Sequence, residues 1–444
     1  MRAKLLLVLI ISSSFAIAQT KTERLQLAAE MEKSIQTELL NKWYPQSTDS
    51  AYGGFISTYT FDFKPTSAQD KFIVTQARHT WTTAKASEVY PDVSYYIKCS
   101  ENGFHFLRDV MWDKVNGGFY NLVARDGKDK SNSQSPKEAY GNAFAIYALA
   151  AYFKASKDTA ALNLAKKAFL WLEKHSYDPK YKGYFQHLRM DGTPVVRDAS
   201  VLSTSDLGYK DQNSSIHLLE AFTELYNVWK DPLLRKRLQE MLLLIRDEIV
   251  TPKGYMKLFF KLDWTPISFR DSSKEFVLRH RYLDHVSFGH DVEIAYLMLE
   301  ASNVLQLKND KRTLTAAKKL IDHSLANGWD NDLGGFYDEG YYFKDSARIT
   351  IIKDSKNWWA QAEGMNALLL MADKFPNDGM RYYDHFKKIW HYIQTYIIDH
   401  DYGDWYEEGL DKEPERKTAL KGHIWKATYH QSRAMFNCIN RLRE

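Results

Sequence analysis

The segment richest in reactive side chains is Leu283-Asp284-His285-Val286-Ser287-Phe288-Gly289-His290-Asp291-Val292-Glu293, which ends a long loop and opens a helix. His290 and Glu293 are three residues apart and share a helical face. A carboxylate one turn from an imidazole orients it and raises its basicity. A zinc helix would carry a second histidine four residues from the first, and none is present, so no metal site is expected here. Trp425-Lys426-Ala427-Thr428-Tyr429-His430-Gln431-Ser432-Arg433 precedes the last apolar helix, and His430 gains meaning if it faces His290 across a cavity. In Asp211-Gln212-Asn213-Ser214-Ser215-Ile216-His217-Leu218-Leu219-Glu220, Asn213 and His217 are four apart and project together. Gln76-Ala77-Arg78-His79-Thr80-Trp81 puts an arginine near a helix start after a long loop. Asn357-Trp358-Trp359-Ala360-Gln361-Ala362-Glu363 sets paired tryptophans beside a glutamate that is expensive to bury. The competing reading is a helix cap with a buried histidine for the first segment, and core or rim positions for the others.

Residues so far apart need a scaffold that gathers helix starts, and the chain carries one. A glycine-aromatic turn recurs at Tyr52-Gly53-Gly54-Phe55, Gly117-Gly118-Phe119-Tyr120, Gly183-Tyr184-Phe185, Gly254-Tyr255-Met256, Gly334-Gly335-Phe336-Tyr337 and Gly403-Asp404-Trp405-Tyr406. Fixed recurrence of this kind marks one structural unit per repeat. Between the turns apolar residues follow helical spacing, as in Ala28, Met31, Ile35, Leu39 and Trp43. The segments 214–230, 234–249, 291–306, 312–326, 359–374 and 381–398 read the same way. Two helices per interval give about twelve. Glycine permits positive φ and close backbone approach in each turn, letting the following aromatic point inward. Six helix pairs closed in a ring make an all-α (α/α)6 barrel whose short glycine-containing hairpins edge a funnel. An open solenoid is the alternative. The irregular repeat lengths and the long loops 60–73 and 256–283 favour the ring, and long loops on a rigid scaffold commonly carry function.

Composition narrows the setting. Arg2 and Lys4 precede an apolar run ending near Ile11, and Ala16-Ile17-Ala18 offers small residues for cleavage, so residues 1–18 read as a signal peptide. The run falls short of the roughly 20 apolar residues that a membrane span needs. Residues 19–444 are then expected as a single barrel domain, exported to the periplasm or beyond the cell, as a monomer or homodimer with no membrane partner. The formal charge is +4, and +2 without Arg2 and Lys4. No basic stripe is visible, so nucleic acid is not an expected partner. Two cysteines, Cys99 and Cys438, are too few for a disulfide framework. The chain holds 12 Trp and 28 Tyr, enough both to fill a core and to line a cavity where sugar rings stack.

The segment from Asp284 to Glu293 resembles the histidine-bearing helix of the N-acylglucosamine 2-epimerase superfamily, especially its cellobiose and mannose 2-epimerases. The other motifs follow in that family's order from Arg78 to Arg433. The resemblance implies an (α/α)6 barrel, in agreement with the repeats. It implies that His290 and His430 are the acid/base pair, with Glu293 beside the first. It implies that Arg78 stabilises an enediolate and that His217 lies near the sugar. Trp359 and Trp425 match the aromatics that stack on sugar rings, and Tyr140 and Asn213 match polar lining positions. Glu363 is counted with the substrate-binding residues. Epimerisation at C2 removes a proton beside a carbonyl and returns one to the other face, for which two histidines near neutrality are suited. A guanidinium holds the developing oxyanion. No redox cofactor or metal is required. The substrate is a small mono- or disaccharide. Aldose–ketose isomerisation uses the same histidines and stays open. So do a glycoside hydrolase, with Asp206, Asp211 and Glu363 as candidate carboxylates, and a sugar-binding protein without catalysis.

Overall fold

The computed structural model describes residues 21–197 and 203–444. The expected signal peptide lies outside the described residues. No described helix is long and apolar enough to cross a membrane. Twelve helices build two concentric rings. The outer ring comprises α1 (21–34, continued by a π-turn Ile35–Leu40 and Asn41–Trp43), α3 (Tyr95–Phe106), α5 (Thr159–His175), α7 (Pro232–Leu244), α10 (Lys311–Gly328) and α12 (Tyr382–Tyr392). The inner ring comprises α2 (Ile73–Val89), α4 (Ala139–Ser156), α6 (Gln212–Val228), α9 (Phe288–Val304), α11 (Trp358–Lys374) and α13 (Tyr429–Arg443). Each inner helix touches the next, and α13 returns to α2, so the ring is closed as the repeats predict. The outer ring closes through α1, where Glu30 accepts a hydrogen bond from Trp390 Nε1 at 3.1 Å.

Inner helices are buried on nearly all sides, so α4 is apolar almost throughout, whereas the outer helix α10 is amphipathic. The structure adds elements that the periodicity does not announce. One is α3; another is a short helix α8 (Lys274–His280) inside the 256–283 loop. Four outer helices, α1, α3, α7 and α12, end in π-turns. Short antiparallel ladders stitch neighbouring repeats at the inner-helix N-termini. Lys71–Phe72 (β1) pairs with Leu122–Val123 (β2), and Lys137–Glu138 (β3) with His187–Leu188 (β4). Lys210–Asp211 (β5) pairs with Phe259–Phe260 (β6). Val286–Ser287 (β7), Glu339–Tyr341 (β8) and Thr350–Lys353 (β9) form a three-stranded patch. Cys99 and Cys438 are both buried and unpaired.

The hairpins do more than turn the chain. Gly117 and Gly118 both sit at φ +73°, and a Cβ on Gly118 would meet the Trp171 ring at 2.7 Å. The aromatics that follow, such as Phe55, Phe119 and Phe336, are wholly buried in the hydrophobic core and do not line the cavity described below. Five of the six hairpins also begin with an aspartate whose carboxylate meets a buried lysine. The pairs are Asp49–Lys71, Asp113–Lys137, Asp178–Lys210, Asp330–Lys356 and Asp399–Lys421, at 2.6–2.9 Å. Four of these lysines lie two residues before an inner helix, so each pair fixes the helix start relative to its hairpin. The fourth repeat has Thr251 and Val286 at the two places.

Candidate active site

The N-terminal turns of the inner helices surround a cavity of about 180 Å³. Its wall is made by Arg78 from α2, Tyr140 from α4, Asn213 and His217 from α6, His290 and Glu293 from α9, Trp358 and Trp359 from α11, His430 from α13 and Trp425 from the preceding loop. Nine of the ten residues singled out from the sequence therefore share one space. Glu363 does not line it. It is fully buried one turn deeper on α11, where its Oε1 faces His430 Nδ1 at 2.5 Å and its Oε2 accepts from Tyr296 at 2.6 Å. Glu363 thus holds a histidine, where the sequence suggested contact with substrate.

Each segment of the 284–293 motif has a structural cause. Asp284 accepts from Phe269 N at 2.6 Å and Tyr341 Oη at 2.7 Å, anchoring the long loop. Ser287 stands at the N-cap but does not cap; its Oγ lies 2.8 Å from His290 Nδ1. The expectation that Glu293 orients His290 is corrected accordingly: Ser287 holds the ring, and Glu293 accepts from Arg433 at 2.5 Å. Gly289 is required by close approach, because a Cβ there would meet the Trp359 ring at 2.6 Å. Trp359 in turn contacts both His290 and His430, with ring centroids 4.7 and 5.7 Å away. Asp291 accepts from Met256 N at 2.8 Å, tying α9 to its hairpin.

The electrostatics suit proton transfer. His430 is pushed well below the ordinary imidazole value, first by burial and then by Arg78 and Arg433, and His290 is lowered chiefly by burial, so the neutral form of each ring is favoured. A carboxylate opposite His430 Nδ1 makes that nitrogen the donor and leaves Nε2 bare. His217 is held alike, with Nδ1 2.9 Å from Glu220 Oε2. Burial, then the charge of Glu363, raises Glu293 to about 6. The Arg78 guanidinium donates to Trp425 O at 3.1 Å and Tyr140 Oη at 3.3 Å and lies over Phe144, 4.6 Å from its centroid. Trp425 is 48% exposed and stands at the rim against Phe72. Glu293, Glu363 and His430 come close enough to bind an ion, but Arg433 already donates to both carboxylates, the second at 2.6 Å.

Comparison with known proteins fits this geometry. The family model for N-acylglucosamine 2-epimerase (GlcNAc 2-epimerase) matches residues 53–434. The chain belongs to the N-acylglucosamine 2-epimerase family. Within this family of carbohydrate epimerases it is 27% identical to a cellobiose 2-epimerase of Bacteroides fragilis, over 94% of this chain and 99% of the relative. It is 22% identical to a D-mannose isomerase of Thermobifida fusca, over 75% and 77% of the two chains. The solved cellobiose 2-epimerase of Spirochaeta thermophila superposes with a TM-score of 0.80 at 28% identity, covering 95% of this chain and 98% of that one. The family resemblance read from the motifs, and the (α/α)6 barrel it implied, are thereby shown.

Sequence reading overlooked Arg433, Glu220, Ser287 and Trp358 as site residues. A signal existed for two of them. His217, His290 and His430 are each followed three residues later by a charged side chain, Glu220, Glu293 and Arg433. Of these pairs, only His290 and Glu293 are both among the residues that the sequence singles out.

Proposed function

We propose that this protein is a carbohydrate 2-epimerase that interconverts gluco- and manno-configured aldoses, either mannose and glucose or the reducing-end residue of cellobiose and mannobiose. The observation that carries the reading is the pair of imidazoles of His290 and His430, both against the same tryptophan and facing a cavity that also holds Arg78. In the open-chain aldose, one imidazole takes the C2 proton and its bonding electrons pass into an enediolate. The other, having first taken a proton from water onto the nitrogen that faces the cavity, delivers it to C2 from the opposite face, and the first then releases the proton it took to water. Arg78 meets the developing oxyanion, with its guanidinium held in place by Trp425 O and Tyr140. The step is redox-neutral and runs without a cofactor, so turnover is expected to survive exhaustive dialysis against a chelator. Glycoside hydrolysis has less support: among the described residues the cavity wall carries a single carboxylate, Glu293, and that chemistry needs two flanking the bond.

The test is incubation with mannose, glucose, cellobiose and mannobiose in deuterated water. Deuterium at C2 with inverted configuration supports epimerisation. Release of a shorter sugar would replace this reading with hydrolysis. The similarity to a D-mannose isomerase favours one second reading, aldose–ketose isomerisation, which a ketose product would establish. We further propose export, with cleavage after Ala18; N-terminal sequencing of secreted protein should begin at Gln19.

Two expectations follow for the same assay. Trp425→Ala removes an exposed apolar platform at the rim. About 1–2 kcal/mol of lost contact raises KM by roughly 5–30-fold with little change in kcat. Measuring this for mannose and cellobiose separately shows which sugar reaches the rim. Glu293 ionises at about 6, so kcat/KM should fall as pH drops below that value and the carboxylate takes up a proton. Glu293→Gln should abolish this acid limb, and a limb left in place would assign it to another group.

A further inference from the structure

Beneath the cavity, three glutamates from three inner helices converge on one guanidinium. Arg433 of α13 donates to Glu220 of α6, to Glu293 of α9 at 2.5 Å and to Glu363 of α11 at 2.6 Å. All four side chains are buried. Full ionisation would leave two net negative charges in a site with little solvent, so the acids must titrate as a set. Two of them stand behind imidazoles: Glu220 holds His217 and Glu363 holds His430. The third, Glu293, faces the cavity.

We propose that Arg433 is a positioning residue that couples the two held imidazoles, its guanidinium being shared by the carboxylates behind His217 and His430, so that protonation on one side of the cavity changes the charge state on the other. The surrounding groups allow this. Tyr429 of α13 donates to Glu220, and Tyr296 of α9 donates to Glu363. Tyr147 of α4 faces Glu220, and burial keeps all three phenols neutral. Arg78 of α2 and His290 of α9 face His430 from the cavity side. Glu300 of α9 also feels Arg433 and Glu220, and burial raises it to about 7; the direct contacts of Arg433 are with the three glutamates. The inference rests on the proposed roles of His217 and His430, but ring protonation is read without turnover, so an inactive protein still tests it.

The full chain is labelled with 15N-histidine and 13C-glutamate, and His430 is assigned with His430→Gln. In Arg433→Met the His430–Glu363 pair should take up a further proton, beyond the one it shares, at a pH where the wild-type pair does not, a displacement of about 1 pH unit or more. Arg433→Lys should reverse it. Adding Glu220→Gln to Arg433→Met should bring the His430–Glu363 titration back down, although Glu220 touches His217 and not His430. Should Arg433→Met not fold, Glu220→Gln alone should move the Glu293 and Glu363 carboxyl titrations to lower pH. Coupling is overturned if His430 and Glu363 titrate as in the wild type in Arg433→Met, or if Glu220→Gln leaves both carboxyl titrations unmoved.

Discussion

His430→Gln is expected to lower kcat by about 10²–10⁴-fold, the usual contribution of a positioned general acid or base, while sugar affinity changes little. Glutamine fills similar space and can still pair with Glu363, so the cavity keeps its shape, Trp359 keeps its contact with His290, and Arg78 keeps Trp425 O and Tyr140. The lost function is proton transfer at Nε2. His290→Gln should do the same from the other side, with Ser287 left to pair with the amide. A two-base mechanism makes a sharper demand than loss of rate. With one imidazole gone, the other still abstracts the C2 proton of one epimer and returns deuterium to the same face. Each single variant should therefore exchange deuterium into one of the two sugars without forming the other, and the two variants should differ in which sugar exchanges. NMR of C2-H in deuterated water reads this directly. Exchange of both epimers in either variant would point to a single mobile base. Unchanged turnover in both variants would remove the histidines from the mechanism and leave a sugar-binding cavity.

The scaffold was largely legible because its signals are local. A glycine that must adopt positive φ, a following aromatic, and apolar spacing of helical period each act within a few residues, and six copies reinforced one another. Helix α3 escaped because Asn102 and Gly103 weaken its helical signal, although Gly103 is there to let α3 approach Thr80 closely. Site residues at inner-helix starts were legible for the same local reason: positions in the first two turns, such as Tyr140, Asn213 and Trp359, come to one mouth once the ring closes. The partners behind them were not. Glu220 and Arg433 are 213 residues apart, and no spacing rule joins them. Glu363 shares a helical face with Trp359, but one turn of depth separates a wall position from a fully enclosed one. Ser287 stood where a helix cap belongs, and only the structure shows its hydroxyl turned to His290.

Lys137→Val is expected to cost about 3–5 kcal/mol of stability, the range for breaking a buried ion pair from one side. The Lys137 ammonium lies 2.7 Å from Asp113 Oδ2 and also donates to Gly117 O at 2.6 Å and Met190 O at 2.7 Å, with neither charged side chain meaningfully exposed. Removing it strands a carboxylate that still accepts from Val115 N and Asn116 N. Asp113→Thr alone strands the ammonium instead. The fourth repeat tolerates the loss of both charges at once, with Thr251 in the hairpin and Val286 before α9. The double variant Asp113→Thr/Lys137→Val should therefore be more stable than Lys137→Val alone, and its cost should be well below the sum of the single costs. The two carbonyls lose their donor in either case, so recovery should be incomplete. Denaturant midpoints for the four proteins give the coupling energy, and additive costs would show that the pair does not act as a unit. Acid dependence offers a second reading. Burial alone would raise Asp113, but hydrogen bonds from Lys137 and Asn116 outweigh it and hold the carboxyl at about 2, against 3.8 when free. Its stabilisation is present above the free value and is lost as pH falls from about 4 towards 2. The double variant should lose less stability over that window than the wild type, because it has no carboxylate there to protonate.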